Sequence, residues 1–193
     1  MSSLAAPLYV VTGVLAVAGF AKLRTPSPTA TALRALRVPR PLVAARVLGA
    51  VEVAIAVAAV VTASAVLWFA VAAAYAGFTA FILWALSGNE GVASCGCFGH
   101  DDTPPTPGHM VFNAVATTLA AFAVADPVAL GDFDGTAIEA IVGIVLVGIG
   151  IALSVGALAH LPRTLALAHG TAAPSVATFS LSPQGSPSPQ GSK

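Results

Sequence analysis

Between Val53 and Asn89 the chain runs for 37 consecutive residues without a charge, and no other feature restricts the fold as much. A helix crossing the hydrocarbon core of a bilayer needs roughly 20 apolar residues, rising about 1.5 Å each. The run is too long for one crossing, so it holds the end of one span and the whole of the next. Thr62-Ala63-Ser64 is the only place within it for a turn. Trp68 and Trp84 then stand about 24 Å apart along one helix, as aromatic anchors at opposite interfaces would.

The same test along the chain yields five spans, at about 4–21, 42–62, 65–86, 109–125 and 140–159. Composition agrees: 57% of the 193 residues are hydrophobic and 8% are charged, against about a quarter charged in soluble proteins. A water-soluble globular domain is excluded, and so is disorder over most of the length. Eight basic and eight acidic residues balance, which leaves no basic footprint for nucleic acid. The expected fold is all-α: a polytopic membrane protein with a four-helix transmembrane bundle and a fifth transmembrane helix, occupying residues 1–160 and residing in the lipid bilayer of the cell membrane. Residues 161–193 read as a disordered polar tail, in which Ser-Pro-Gln-Gly-Ser recurs at 182–186 and 188–192. Met1-Ser2-Ser3 brings no positive charge before the first apolar run, so that run reads as a retained helix and not a cleaved signal.

Six of the eight basic residues, Lys22, Arg24, Arg34, Arg37, Arg40 and Arg46, lie in or beside the first connection. The positive-inside rule makes that side cytoplasmic. By parity, the segment from Ser87 to Gly108 shares it. Within the first connection, Pro28 to Val38 reads as a short amphipathic helix, Leu33, Leu36 and Val38 opposing Arg34 and Arg37, stopped by Pro39 and Pro41. Such a segment lies on the headgroups, or it gates a substrate.

The residues that carry chemistry cluster in Ser94-Cys95-Gly96-Cys97-Phe98-Gly99-His100. Gly96 lets the chain turn tightly enough for Cys95 and Cys97 to approach. A disulfide closed over so small a ring is strained, and strained, exposed disulfides suit exchange with a partner better than bracing. Two alternatives stand beside this redox pair. The thiols are inert small hydrophobes, or Cys95, Cys97, His100 and His109 hold a metal. Structural zinc sites space paired cysteines by two to four residues, and the single residue here leaves no metal site assigned. Glu52 stands mid-helix in the second span, where an acid is costly unless it meets a partner or water. It either relays protons or binds a polar headgroup such as a quinone's, with Asn113 of the fourth span as companion, or it pairs with Asn113 and fixes the bundle. Gly143, Gly148 and Gly150, with Ala54, Ala58, Ala72 and Ala76, read as sites of close helix approach.

These residues give the chain a likeness. Ala18-Gly19-Phe20-Ala21-Lys22-Leu23 closing the first span, Glu52 in the second and Cys95-Gly96-Cys97-Phe98-Gly99 after the third resemble the MauE family of methylamine-utilisation membrane proteins, within the DoxX-like group, over roughly residues 7–125. The resemblance implies that Cys95 and Cys97 take part in thiol-disulfide exchange with a thioredoxin-like partner. It further implies that this chemistry serves the disulfides of a methylamine dehydrogenase subunit, outside the cytoplasm. Phe112 stands where members often carry a basic residue before the asparagine. The runner-up reading is a non-enzymatic membrane scaffold or small-molecule carrier built on Glu52.

Overall fold

The computed structural model describes residues 5–87, 106–128 and 137–168, with the side chains of the last helix described from 139 to 158. Six helices fill these segments: α1 (Ala5–Arg24), α2 (Ser27–Ala35), α3 (Pro41–Thr62), α4 (Ala65–Leu86), α5 (Pro107–Ala125) and α6 (Ala137–Ala168). No strand occurs among the described residues. Five of the helices, all but α2, are long and apolar enough to cross a membrane, and the protein is an all-α polytopic membrane protein.

Helix boundaries follow local chemistry. Prolines stand in the first turn of α2, α3 and α5, where a missing N–H costs nothing and φ is already helical. Thr106 accepts the His109 N–H and so caps α5. Ala63, left-handed at φ 47°, and extended Ser64 make the whole reversal between α3 and α4. The long uncharged run is therefore divided at that turn.

Helix α1 is the hub. It lies along α3, α5 and α6, and reaches α4 through Tyr75, whose hydroxyl donates to the Val11 carbonyl at 2.7 Å. Helices α4 and α5 form a second close pair, with Ala116, Ala120 and Ala123 buried. Small side chains bring backbones together where lipid supplies no hydrophobic push. Gly19 lies against Glu52 and Gly49 against Lys22, the pattern of antiparallel helices. The end of α1 also reaches Phe78 in the last third of α4. The C-terminal ends of α1 and α4 and the starts of α3 and α5 thus share one end of the bundle.

Helix α6 is the outermost element. None of its residues from 139 to 158 is buried, and it touches the bundle along α1, where Gly13 faces Ile151 and Gly150 faces Val10. The sequence marked Gly148 as a second close approach, but nothing lies within 4 Å of the space its Cβ would fill. Gly150 and Gly148 are two residues apart on a helix, so they point to different faces. The helix also continues through Ala168, eight residues into the segment read as a tail. Leu165, Ala166, Leu167 and Ala168 are strong helix formers.

One further expectation needs correction. Trp68 is fully buried and packs in the core beside Val71 and Tyr75, so it is no interfacial anchor. Helix α2 buries Pro28, Thr29, Ala30 and Ala32 and leaves Leu36 exposed. The helix packs against α3, with Leu33 half-buried.

Candidate functional site

Near the basic end of the bundle, α1 and α3 cross at two glycines. A Cβ on Gly19 would lie 2.7 Å from the Gly49 carbonyl oxygen, and a Cβ on Gly49 would lie 2.6 Å from the Gly19 carbonyl oxygen. Only hydrogen fits at either position. One turn further along each helix the chain carries a charge, in Gly19-Phe20-Ala21-Lys22 and Gly49-Ala50-Val51-Glu52. The glycine crossing therefore delivers the two charges to each other.

Lys22 Nζ donates to Glu52 Oε2 at 2.7 Å, with the two side chains 3% and 1% exposed. The ammonium also approaches the Ala18 carbonyl at 3.5 Å and sits 5.2 Å from the centroid of the Phe78 ring, within reach of a cation–π attraction. Two ions removed from water together cost far less than either alone, since their attraction offsets desolvation in a medium of low dielectric. The second carboxylate oxygen, Glu52 Oε1, is buried with no hydrogen-bond partner among the described residues.

Beside the pair lies a cavity of about 310 Å³, at the small end of the range for ligand clefts. Lys22, whose side chain is 3% exposed, is among the residues lining it. Thr29 and Leu33 of α2, Leu48 of α3, and Phe78 and Phe81 of α4 make up much of the wall, and Gly77 stands at its edge. A second hollow of about 280 Å³, between α1, α3 and α6, is lined by Val57, Val60, Ile144 and Val147 among others and has no charged residue. Of these two hollows, the first has a charged residue in its lining.

The structure brings only part of the expected site together. Glu52 belongs to it, whereas Asn113 does not meet Glu52. Asn113 Nδ2 donates to the His109 carbonyl at 2.7 Å, one turn back on the same helix, and Lys22 takes the place proposed for it. His109 is buried, with Nδ1 2.7 Å from Thr106 Oγ1, so one ring nitrogen is already engaged. Cys95, Cys97 and His100 lie outside the described residues. Lys22 itself is absent from the sequence-based candidates, because a lysine closing an apolar span has a sufficient explanation in topology. The signal that could have found it is the matched spacing of Gly-x-x-Lys and Gly-x-x-Glu in consecutive spans.

Residues 2–126, which run from the start of the chain through α5 and so contain the glycine crossing, the ion pair and both cysteines, match the family described as methylamine utilisation protein MauE. No curated protein and no solved structure matches the chain. A match over well over half of the residues, carried by all four bundle helices, establishes the relationship: the chain belongs to the MauE family.

Proposed function

We propose that this protein is a redox-associated membrane protein in which Cys95 and Cys97 exchange disulfides with a thioredoxin-like partner, supporting maturation of methylamine dehydrogenase or a similar disulfide-containing protein. The observation that supports it is positional. Ser87 and Thr106, between which both cysteines fall in sequence, stand at the bundle end that also holds Lys22, Glu52 and the cavity. In the exchange, one thiolate attacks the partner's disulfide and releases one partner thiolate. The second cysteine then attacks the mixed disulfide, so the pair is oxidised as the partner is reduced, and the reverse sequence oxidises the partner. Replacing the resolving cysteine with serine stops the reaction at the mixed disulfide. Cys95→Ser or Cys97→Ser is expected to trap a partner adduct visible on non-reducing gels and lost on adding dithiothreitol. Two single variants with no adduct and undiminished function would remove the redox reading.

Orientation decides which partners the thiols meet. The charge count places the basic end in the cytoplasm, while a role in an exported dehydrogenase requires the opposite side. Cys95 and Cys97 are the only cysteines in the chain, so a membrane-impermeant maleimide reads one segment without background. The charge-based orientation predicts protection in intact, reduced cells and labelling after permeabilisation, a result that would restrict the exchange to a cytoplasmic disulfide-containing partner and exclude the exported dehydrogenase. Labelling in intact cells would overturn the charge-based orientation and turn the thiols toward exported substrates.

The buried pair at the head of a cavity favours a second reading, a small-molecule carrier that works through Glu52. Full function in the Cys95→Ser/Cys97→Ser double variant, together with loss of function in a folded Lys22→Met/Glu52→Leu variant, would select it.

A further inference from the structure

We infer that the cavity between α1, α2, α3 and α4 and the arginines around the end of α2 together bind one anionic phospholipid, with an acyl chain in the cavity and the phosphate at Arg37 and Arg40. No cysteine takes part, so this binding stands or falls apart from the thiol-disulfide reading.

The cavity selects hydrocarbon. Its lining is almost wholly apolar, because Lys22 is turned to Glu52 at 2.7 Å and its side chain is 3% exposed. Thr29, Ala32, Leu33 and Leu36 line it at the i, i+3, i+4, i+7 spacing of a single helix face. On the α4 side the wall runs from Ala73 to Phe81, about 12 Å along the helix axis, which suits a stretch of acyl chain. Ala73 and Gly77 are exposed on the bundle surface and also line the cavity, so a chain enters from the lipid phase. At its other edge the cavity reaches the turn into α3, where Leu36 both lines it and is exposed.

The rim at that turn selects an anion. Arg24, Arg34, Arg37, Arg40 and Arg46 are all exposed, and residues 1–51 contain no acid. Glu52 is taken by Lys22. Between Ser87 and Thr106 the sequence has three acids, Glu90, Asp101 and Asp102, and the five arginines outnumber even these. Arg37 follows Leu36 directly, with Cα atoms about 3.8 Å apart, so its side chain starts from the cavity rim. The turn that carries it is fixed. Arg37 N–H donates to the Arg34 carbonyl at 2.9 Å and Val38 N–H to the Leu33 carbonyl at 3.0 Å, the paired closure of a Schellman motif. Guanidinium groups hold phosphate oxygens through paired, charge-assisted hydrogen bonds. A soluble anion would engage the arginines and leave the cavity unused, and a neutral lipid would fill the cavity and leave the arginines to water. An anionic phospholipid uses both, and basic clusters beside a membrane span attract such headgroups.

The test uses the full chain in phosphatidylcholine nanodiscs doped with a phosphatidylglycerol that carries a diazirine in one acyl chain. Adducts are expected on α2 between Thr29 and Leu36 and on α4 between Ala73 and Phe81. A phosphatidylcholine probe with the same diazirine chain is expected to label these positions about tenfold less. Arg37 and Arg40 have left-handed backbone, at φ 57° and 50°, which glycine adopts without strain. Arg37→Gly/Arg40→Gly therefore removes charge while sparing the turn, and is expected to bring the two probes to within about twofold of each other. Arg37→Gln/Arg40→Gln gives the same reading should the first variant fail to insert. Nothing lies within 4 Å of a Cβ at Gly77, so Gly77→Leu extends into the cavity mouth and is expected to lower labelling by the phosphatidylglycerol probe about tenfold, equivalent to about 1.4 kcal/mol. Ala73→Leu, on the same wall, serves if that variant does not insert. Equal labelling of the unaltered chain by the two headgroups would overturn the phosphate contact. Labelling spread over the lipid-facing side of α6, unaffected by Gly77→Leu or Ala73→Leu, would overturn the cavity. Displacement by inorganic phosphate as readily as by unlabelled phosphatidylglycerol would show that the arginines serve a free anion, and would overturn the lipid.

Discussion

Lys22→Met and Glu52→Leu are each expected to destabilise the protein by about 3–5 kcal/mol, whereas the double variant recovers most of the loss. The asymmetry arises because each single change strands one ion among apolar side chains, while the double change replaces the pair with groups of similar volume. In the folded protein Lys22 and Glu52 are 2% and 1% exposed, so water cannot take the place of the missing partner. For Glu52, near the middle of α3, an unpaired charge costs roughly 2.5–3.5 kcal/mol even on lenient insertion scales, consistent with the size of the effect of Lys22→Met. Thermal unfolding of the four proteins in one detergent measures the cycle. A loss in the double variant equal to the sum of the two single losses would mean that the pair contributes nothing beyond the two side chains.

Gly49→Val is expected to separate α1 from α3. Its Cβ would stand 2.6 Å from the Gly19 carbonyl oxygen and 2.9 Å from the Lys22 Cβ, and a backbone carbonyl cannot swing aside as a side chain can. Overpacking typically costs about 1–3 kcal/mol where side chains can adjust, so the upper part of that range or more applies here. The displacement also pulls Lys22 away from Glu52, which couples this variant to the ion-pair cycle. Gly148→Ala is the control: open space surrounds the position, and alanine in a helix interior is favoured over glycine by about 1 kcal/mol. Thermal midpoints that fall for Gly49→Val and hold or rise for Gly148→Ala would match the packing. Equal effects would dismiss the glycine crossing as the source of helix contact.

The spans were legible because a bilayer imposes one length and one polarity on every crossing helix, and the uncharged run beginning at Val53 could be divided in only one place. Glu52 was legible as an anomaly for the same reason. Its partner was not, because Lys22 lies 30 residues earlier and a basic residue at the end of a span always has a topological reading available. Trp68 shows the reverse difficulty. An aromatic near a helix end looks the same in sequence whether it faces lipid headgroups or, as here, the core beside Tyr75. The cavity was beyond reach, since its walls come from four helices whose relative rotation depends on the Gly19–Gly49 contact. The contact of α2 with α3 was not legible either, since the buried Pro28, Thr29, Ala30 and Ala32 carry no hydrophobic periodicity.

The pairing of Lys22 with Glu52 also imposes an order on biogenesis. Helix α1 is synthesised before α3 and ends as the most enclosed of the five spanning helices. Its lysine, near the C-terminal end, can extend along the helix to the headgroup region while it waits. The carboxylate of α3 arrives in a shorter side chain nearer mid-helix and has no such refuge. The α3 carboxylate therefore meets lipid at least cost when α1 already lies alongside it, so the ion pair favours joining these two helices before the uncharged run that follows Glu52 is threaded.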